Sequence, residues 1–155
     1  MKSPISFMAR LVCLCVLTLL GAPYSNSSTP EVKELLLFGG EGGTTFLGCL
    51  NCSDTTATSV CNLNGEFGSG ESLASIWNDL GDFGSEASDH SPWSDASANP
   101  PMILDRNGDP YGYFTRNKAH RSRTRIPWLE VALEYYGKTK NLEKTRVEMC
   151  SLSRQ

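Results

Sequence analysis

Apolar residues are distributed along this chain in runs whose spacing changes character several times. Leu11 to Leu20 (LVCLCVLTLL) is a ten-residue apolar run. Two short strand-like runs follow, LLLF at 35–38 and TTFLGCL at 44–50, joined by the flexible GGEGG. Residues 59 to 97 then show neither a helical nor a strand period, although they contain tryptophan and phenylalanine. Met102 to Thr115 reads as a second hairpin, with Asn107-Gly108 as a two-residue turn. Pro110 removes a ladder donor from the returning strand, which places that strand at an edge or beside a bulge. In IPWLEVALEYYG (126–137), Leu129, Ala132, Leu133 and Tyr136 share one helical face, Pro127 suits the first turn and Gly137 is the expected stop. A second helix is expected from Leu142 to Cys150, with Asn141 as N-cap.

These elements predict a small α+β domain: an antiparallel sheet of two hairpins, a turn-rich repeat insert and C-terminal helices, stabilised by disulfides. The early apolar run changes where that domain is placed. Preceded by Lys2 and Arg10 and followed by small residues, it has the layout of a secretory signal peptide, and it is too short to span a bilayer as a helix. The expected organisation is a signal peptide at 1–25, a flexible segment at 26–33, one domain at 34–150 and a tail at 151–155. The mature chain would then be secreted or periplasmic, with no integral membrane segment.

The patternless stretch is a repeat. SIWNDLGDFGS (75–85) recurs sixteen residues earlier: seven of the sixteen positions are identical between 59–74 and 75–90. A third copy begins at Ser91-Pro92-Trp93 and dissolves by residue 97. Cys61, Trp77 and Trp93 share one repeat position, and Phe67 and Phe83 share another. Glycines flanking each phenylalanine suit tight turns with positive φ and close backbone approach. Serine and asparagine would satisfy turn amides locally. The expectation is a loop-rich region leaning on a core, with Phe67, Trp77, Phe83 and Trp93 as anchors; the competing reading is an exposed aromatic platform for a ligand.

The run Phe46 to Cys52 (FLGCLNC), the doubled S-[VI]-[CW]-N…G-x-F-G-S, the S-P-W of 91–93 and the stretch from Pro101 to Asn117 together resemble a pattern found in small secreted bacterial proteins of unknown function. The similarity covers about residues 44 to 117. It implies export and a bacterial source, and it carries no activity. In that group the repeats are richer in Asn and Tyr, whereas here they are more acidic.

Four cysteines follow the apolar run: Cys49, Cys52, Cys61 and Cys150. In an exported chain they read as two disulfides. The CxxC spacing of Cys49 and Cys52 also admits a zinc site or a redox pair, although zinc would want a second close pair and a redox motif normally opens a helix. Closeness in sequence favours Cys52–Cys61, leaving Cys49 with Cys150.

Charge is divided along the chain. Between residues 31 and 110, 13 Asp/Glu face only Lys33 and Arg106, a balance of −11; residues 111 to 155 carry 10 Lys/Arg against 4 Asp/Glu, a balance of +6. The two halves can neutralise one another within the fold, or present an acidic and a basic face. For a polyanion the candidates are Arg116, Lys118, Arg121, Arg123 and Arg125, the last three sharing one face of an extended backbone. For calcium the candidates are Asp79, Asp82, Asp95, Asp105 and Asp109. Asp105 to Asp109 has the early spacing of a calcium loop, but Pro110 and Arg116 stand where an EF-hand needs Gly and Glu. His90 and His120 lie in no motif and read as surface residues. Gly70-Glu71-Ser72-Leu73-Ala74 resembles a nucleophile elbow without its strand and helix, so turn chemistry accounts for it better. No cofactor is called for. The expected function is a non-catalytic binding or structural module that meets an envelope or extracellular polymer or a protein partner. The alternative is an exported hydrolase, or an accessory subunit of one, that uses acids of the repeat region.

Overall fold

The computed structural model describes residues 33–154. The signal-peptide reading and most of the flexible segment therefore lie outside the described residues. The domain is α+β: strands β1 (Leu36–Gly39), β2 (Thr45–Cys49), β3 (Met102–Leu104) and β4 (Pro110–Tyr113), then helices α1 (Pro127–Thr139) and α2 (Leu142–Leu152). The sheet order is β2-β1-β3-β4, with every neighbouring pair antiparallel. The two hairpins therefore meet through β1 and β3, across the long insert that separates them in sequence. Each edge strand also makes one isolated bridge at its last residue. Cys49 on β2 bridges Ser59 in parallel, and Tyr113 on β4 bridges Arg123 in the same way.

Pro110 lies in the edge strand, as expected, and a register shift falls between β3 and β4 beside it. The turn differs from the two-residue expectation. Asp105 N–H donates to Asp109 O and Gly108 N–H to Asp105 O, both at 3.0 Å, so residues 106–108 form a three-residue loop. Gly108 takes the left-handed conformation (φ 85°) that this loop demands of its last residue. The buried Asp105 carboxylate favours the longer loop by accepting from the amides of Asn107 (2.9 Å) and Asp109 (3.0 Å).

α1 buries Leu129, Ala132, Leu133 and Tyr136. It runs through Gly137, the expected stop, to Thr139. The left-handed cap falls instead on Lys140 (φ 50°), whose N–H donates to Tyr136 O. Asn141 caps α2 by accepting from Lys144 N–H at 2.9 Å.

The repeats form stacked coils of successive turns. Backbone N–H groups of Ser59, Asn62 and Gly65 each donate three residues back, as do those of Ser75, Asn78 and Gly81. Each leading serine is fully buried, and its hydroxyl accepts the N–H two residues on: Cys61, Trp77 and Trp93. Ser59 and Ser75 also donate, to Cys52 O and Phe67 O. Asn62 and Asn78 close the adjoining turns through Asn64 N–H and Leu80 N–H. Tryptophan links one coil to the last. Trp77 Nε1–H donates to Val60 O at 2.7 Å, and Trp93 Nε1–H to Ile76 O at 2.5 Å, each seventeen residues back. The two indoles pack at a tilt of 31°, with centroids 5.3 Å apart. Close approach explains the glycines, but positive φ does not, since no repeat glycine is left-handed. A Cβ on Gly68 or Gly84 would lie about 2 Å from the carbonyl oxygen of Asn62 or Asn78, inside the coil.

These coils do not lean on a core built elsewhere, as the sequence suggested. Val60, Ile76, Trp77 and Trp93 join Leu37, Leu47, Ile103, Phe114, Leu133 and Met149 in one buried cluster. Trp93 contacts Phe114 and Tyr136 at centroid distances of 5.4 and 5.0 Å. Phe67 and Phe83 are only partly buried. Phe67 packs edge-on to Phe46 (5.0 Å), and Phe83 lies over the backbone of Gly39 and Gly40.

The disulfides are Cys49–Cys52 and Cys61–Cys150, not Cys52–Cys61 and Cys49–Cys150. Repeat position outranks proximity in sequence. Cys61 occupies the column of Trp77 and Trp93, which faces the core where α2 packs, so Cys150 reaches it. The longer bond closes a loop whose chain-entropy contribution is about 4–5 kcal/mol, against about 2 kcal/mol for the CxxC ring. Trp93→Ala should destabilise the domain by about 3–5 kcal/mol, and Phe83→Ala by clearly less, in urea unfolding of the two variants beside the parent.

Candidate functional site

A charged groove follows the exposed side of α1. On one flank Arg116, Asn117 and Lys118 face Leu133, Glu134, Gly137 and Lys138, with Asp95 at the end, around a cavity of about 560 Å³. On the other flank Arg123, Pro127, Glu130, Val131 and Tyr135 line about 570 Å³. Glu134 and Lys138 belong to both and form the ridge between them. The i, i+4 spacing of Glu130, Glu134 and Lys138 opposite the apolar face of α1 is the sequence signal that would have found this ridge. Gly137 leaves the ridge low where Arg116 crosses it.

Three of the five basic candidates meet at this groove, and they are already engaged. Arg116 keeps only 14% of its side chain exposed; it donates to Trp93 O at 2.7 Å, pairs with Glu86 at 3.2 Å and lies over the Tyr136 ring at 5.4 Å. Glu86 also binds Lys140. Arg123 Nε–H donates to Thr115 O at 2.8 Å and its guanidinium reaches Glu134, as Lys118 does at 3.1 Å. Arg121 and Arg125 are exposed. The expectation that Arg121, Arg123 and Arg125 share one extended face fails. Arg121 sits in a turn closed by Arg123 N–H to His120 O, and Arg123 folds inward.

The aspartate candidates are dispersed rather than gathered. Asp79 is exposed, and Asp95 lies 3.9 Å from the Arg116 guanidinium. Asp82 accepts from Ser88 at 2.5 Å and contacts His90 Nδ1 at 2.7 Å. Those bonds, Ser88 first, lower its pKa. Asp105 is buried against Lys33, 2.8 Å away, with Asp109 3.7 Å from the same ammonium. Lys33, expected in the flexible segment, is thus a fixed part of the domain. Among the described residues the metal-ligand atoms that converge belong instead to Glu34, Cys49 and Cys52, where both sulfurs are bonded to one another. His120 is half-buried against the Tyr113 ring (4.5 Å), not solvated as its basic surroundings suggested. Ser72 accepts from Ala74 N–H at 3.3 Å, which is turn chemistry and not a nucleophile elbow.

Trp77 and Trp93 are buried, so neither belongs to an exposed aromatic platform. The exposed apolar side chains of the coils are aliphatic: Leu63, Leu73 and Leu80. No family model, curated protein or solved structure matches the chain.

The Lys33 hydrogen bond, aided by the Asp109 and Asn107 amides against the opposing effect of burial, holds the Asp105 carboxyl at about 2. The same bond raises the Lys33 ammonium above its ordinary range. A depressed carboxyl stabilises the fold above its unfolded pKa of about 4 and ceases to do so as pH falls through the folded value. The melting temperature should therefore decline as pH falls from about 4 towards 2, and Asp105→Asn should flatten that part of the profile while lowering the melting temperature at pH 7. Gly137→Ala should stabilise by about 0.5–1 kcal/mol in denaturant unfolding, because the new methyl would meet Arg116 at an ordinary 3.5 Å.

Proposed function

We propose that this chain is an exported, non-catalytic binding or structural module whose groove along α1 meets an anionic envelope or extracellular polymer. The observation that carries this reading is the convergence of Arg116, Lys118 and Lys138 on one open groove, with Arg121 and Arg125 exposed on the same basic segment. Cations on a rigid helix and its facing loop attract a polyanion by a sequence-independent charge term. The carboxylates beside them are tied to those cations: Asp95 to Arg116, and Glu134 to Lys118 and Arg123. Glu130, on the other flank, makes no ion pair among the described residues, and the carboxylates nearest it are engaged with cations, so a binding role is preferred to hydrolysis.

Export is supported by two disulfides and by the expected signal peptide. Among the described residues, no helix is long and apolar enough to cross a membrane. The scaffold favours rigidity over turnover. Repeat side chains that could do chemistry, such as Ser59, Ser75, Ser91 and Asn78, are buried and spent on turn amides.

Heparin at low salt should retain the parent protein and release it as salt rises. Alanine at Lys118, Arg121, Arg125 and Lys138 together should abolish retention without lowering the melting temperature, since the structural Arg116 and Arg123 are kept. A parent that flows through, or a variant retained like the parent, would overturn this reading.

A further inference from the structure

The Cys49–Cys52 ring stands apart from the rest of the scaffold, because the loop that carries it is held without it. Cys49 N–H donates to Thr58 O (2.7 Å), Val60 N–H to Cys49 O (3.0 Å) and Leu50 N–H to Leu35 O (2.8 Å). The Asn51 side chain, between the two cysteines, accepts from Leu35 N–H at 2.8 Å and donates to Lys33 O at 2.9 Å. Five hydrogen bonds therefore fix residues 49 to 51 whether or not the sulfurs are joined. A bond spanning three residues also adds little loop-closure restraint, and the long-range tie is made by Cys61–Cys150, eighty-nine residues apart. Both ends of that longer bond are buried in the core cluster. In the short ring only Cys49 is fully buried, while Cys52 is partly exposed at the surface. The Glu34 carboxylate comes within 4.8 Å of both sulfurs and is ion-paired to Arg106 at 2.6 Å.

We propose that Cys49–Cys52 is a thiol–disulfide exchange site, opened by a dithiol reductant and re-formed by a disulfide oxidant while the fold stays intact. The thiolate of the reductant attacks the accessible Cys52 Sγ. The Cys49–Cys52 bond breaks, its electron pair leaves on Cys49 Sγ, and that thiolate takes up a proton. The second thiol of the reductant, deprotonated, then attacks its own sulfur in the mixed disulfide and expels Cys52 as a thiolate, which is protonated in turn. Two electrons and two protons pass to the protein, and the reductant leaves as a disulfide. In the oxidising direction a protein thiol loses its proton to solvent before it attacks.

The oxidised chain is titrated with dithiothreitol in non-denaturing buffer, then alkylated and mapped by mass spectrometry, with circular dichroism recorded at each point. Cys49 and Cys52 should become alkylated at a dithiol concentration at least tenfold below that needed for Cys61 and Cys150, with the spectrum unchanged. Both bonds opening together, Cys61–Cys150 opening first, or loss of the native spectrum with the first bond would each overturn the proposal. The double variant Cys49→Ser with Cys52→Ser should melt within a few degrees of the parent; a collapse of the fold would show the ring to be structural.

Discussion

The indole N–H of each repeat tryptophan donates to a carbonyl one coil earlier, and the remainder of the fold is arranged around those two bonds. A buried tryptophan needs a partner for its one polar hydrogen. Here the partner is Val60 O or Ile76 O, seventeen residues back, so a sixteen-residue period brings each ring over the preceding coil. Cys61 fits the same logic. It lies in the first coil, with no earlier coil to receive an indole, and the column begins there with a disulfide to α2. Trp93, at the other end, closes the column against Phe114 and Tyr136. The series is thus fixed covalently at one end and by aromatic packing at the other, and this explains how a region without regular secondary structure supplies so much of the core.

The uneven charge distribution is largely resolved within the domain. Glu86 and Asp95 of the acidic region meet Arg116, Glu86 also holds Lys140, and Asp54 pairs with Arg154 at the C-terminal end. Exposed pairs of this kind are each worth about 0–1 kcal/mol. Arg116 is the exception in kind, because its guanidinium also satisfies Trp93 O and covers Tyr136, and so serves the tryptophan column as well as the groove. Among the exposed cations of the described residues that make no ion pair, Arg121, Arg125 and Lys138 border that groove or its basic loop, whereas Lys144 lies on α2.

The same economy separates the two disulfides. One joins the repeat column to the last helix across most of the domain. The other closes a small ring on a loop already satisfied by backbone and asparagine hydrogen bonds. Their structural burdens therefore differ, and so does the freedom of each to exchange.

The sequence by itself determined the local elements: the two hairpins, the buried face of α1, the Asn141 cap, the edge position of Pro110 and the sixteen-residue period. Each rests on short-range physics, such as side-chain periodicity, a missing N–H or a capping oxygen, that acts within a few residues. The tertiary structure decided what meets what. Cys61 pairs with Cys150 rather than its neighbour because the repeat column turns it inward, and that direction exists only once the coils stack. Arg123 leaves the expected basic face because Thr115 O and Glu134 lie within its reach once the segment after β4 folds back against α1. Lys33 becomes fixed because Asp105, seventy-two residues away, is buried beside it and must be neutralised. Glu134 and Lys138 become groove residues for the same reason: a cavity is made by two surfaces, and the sequence of α1 describes only one of them.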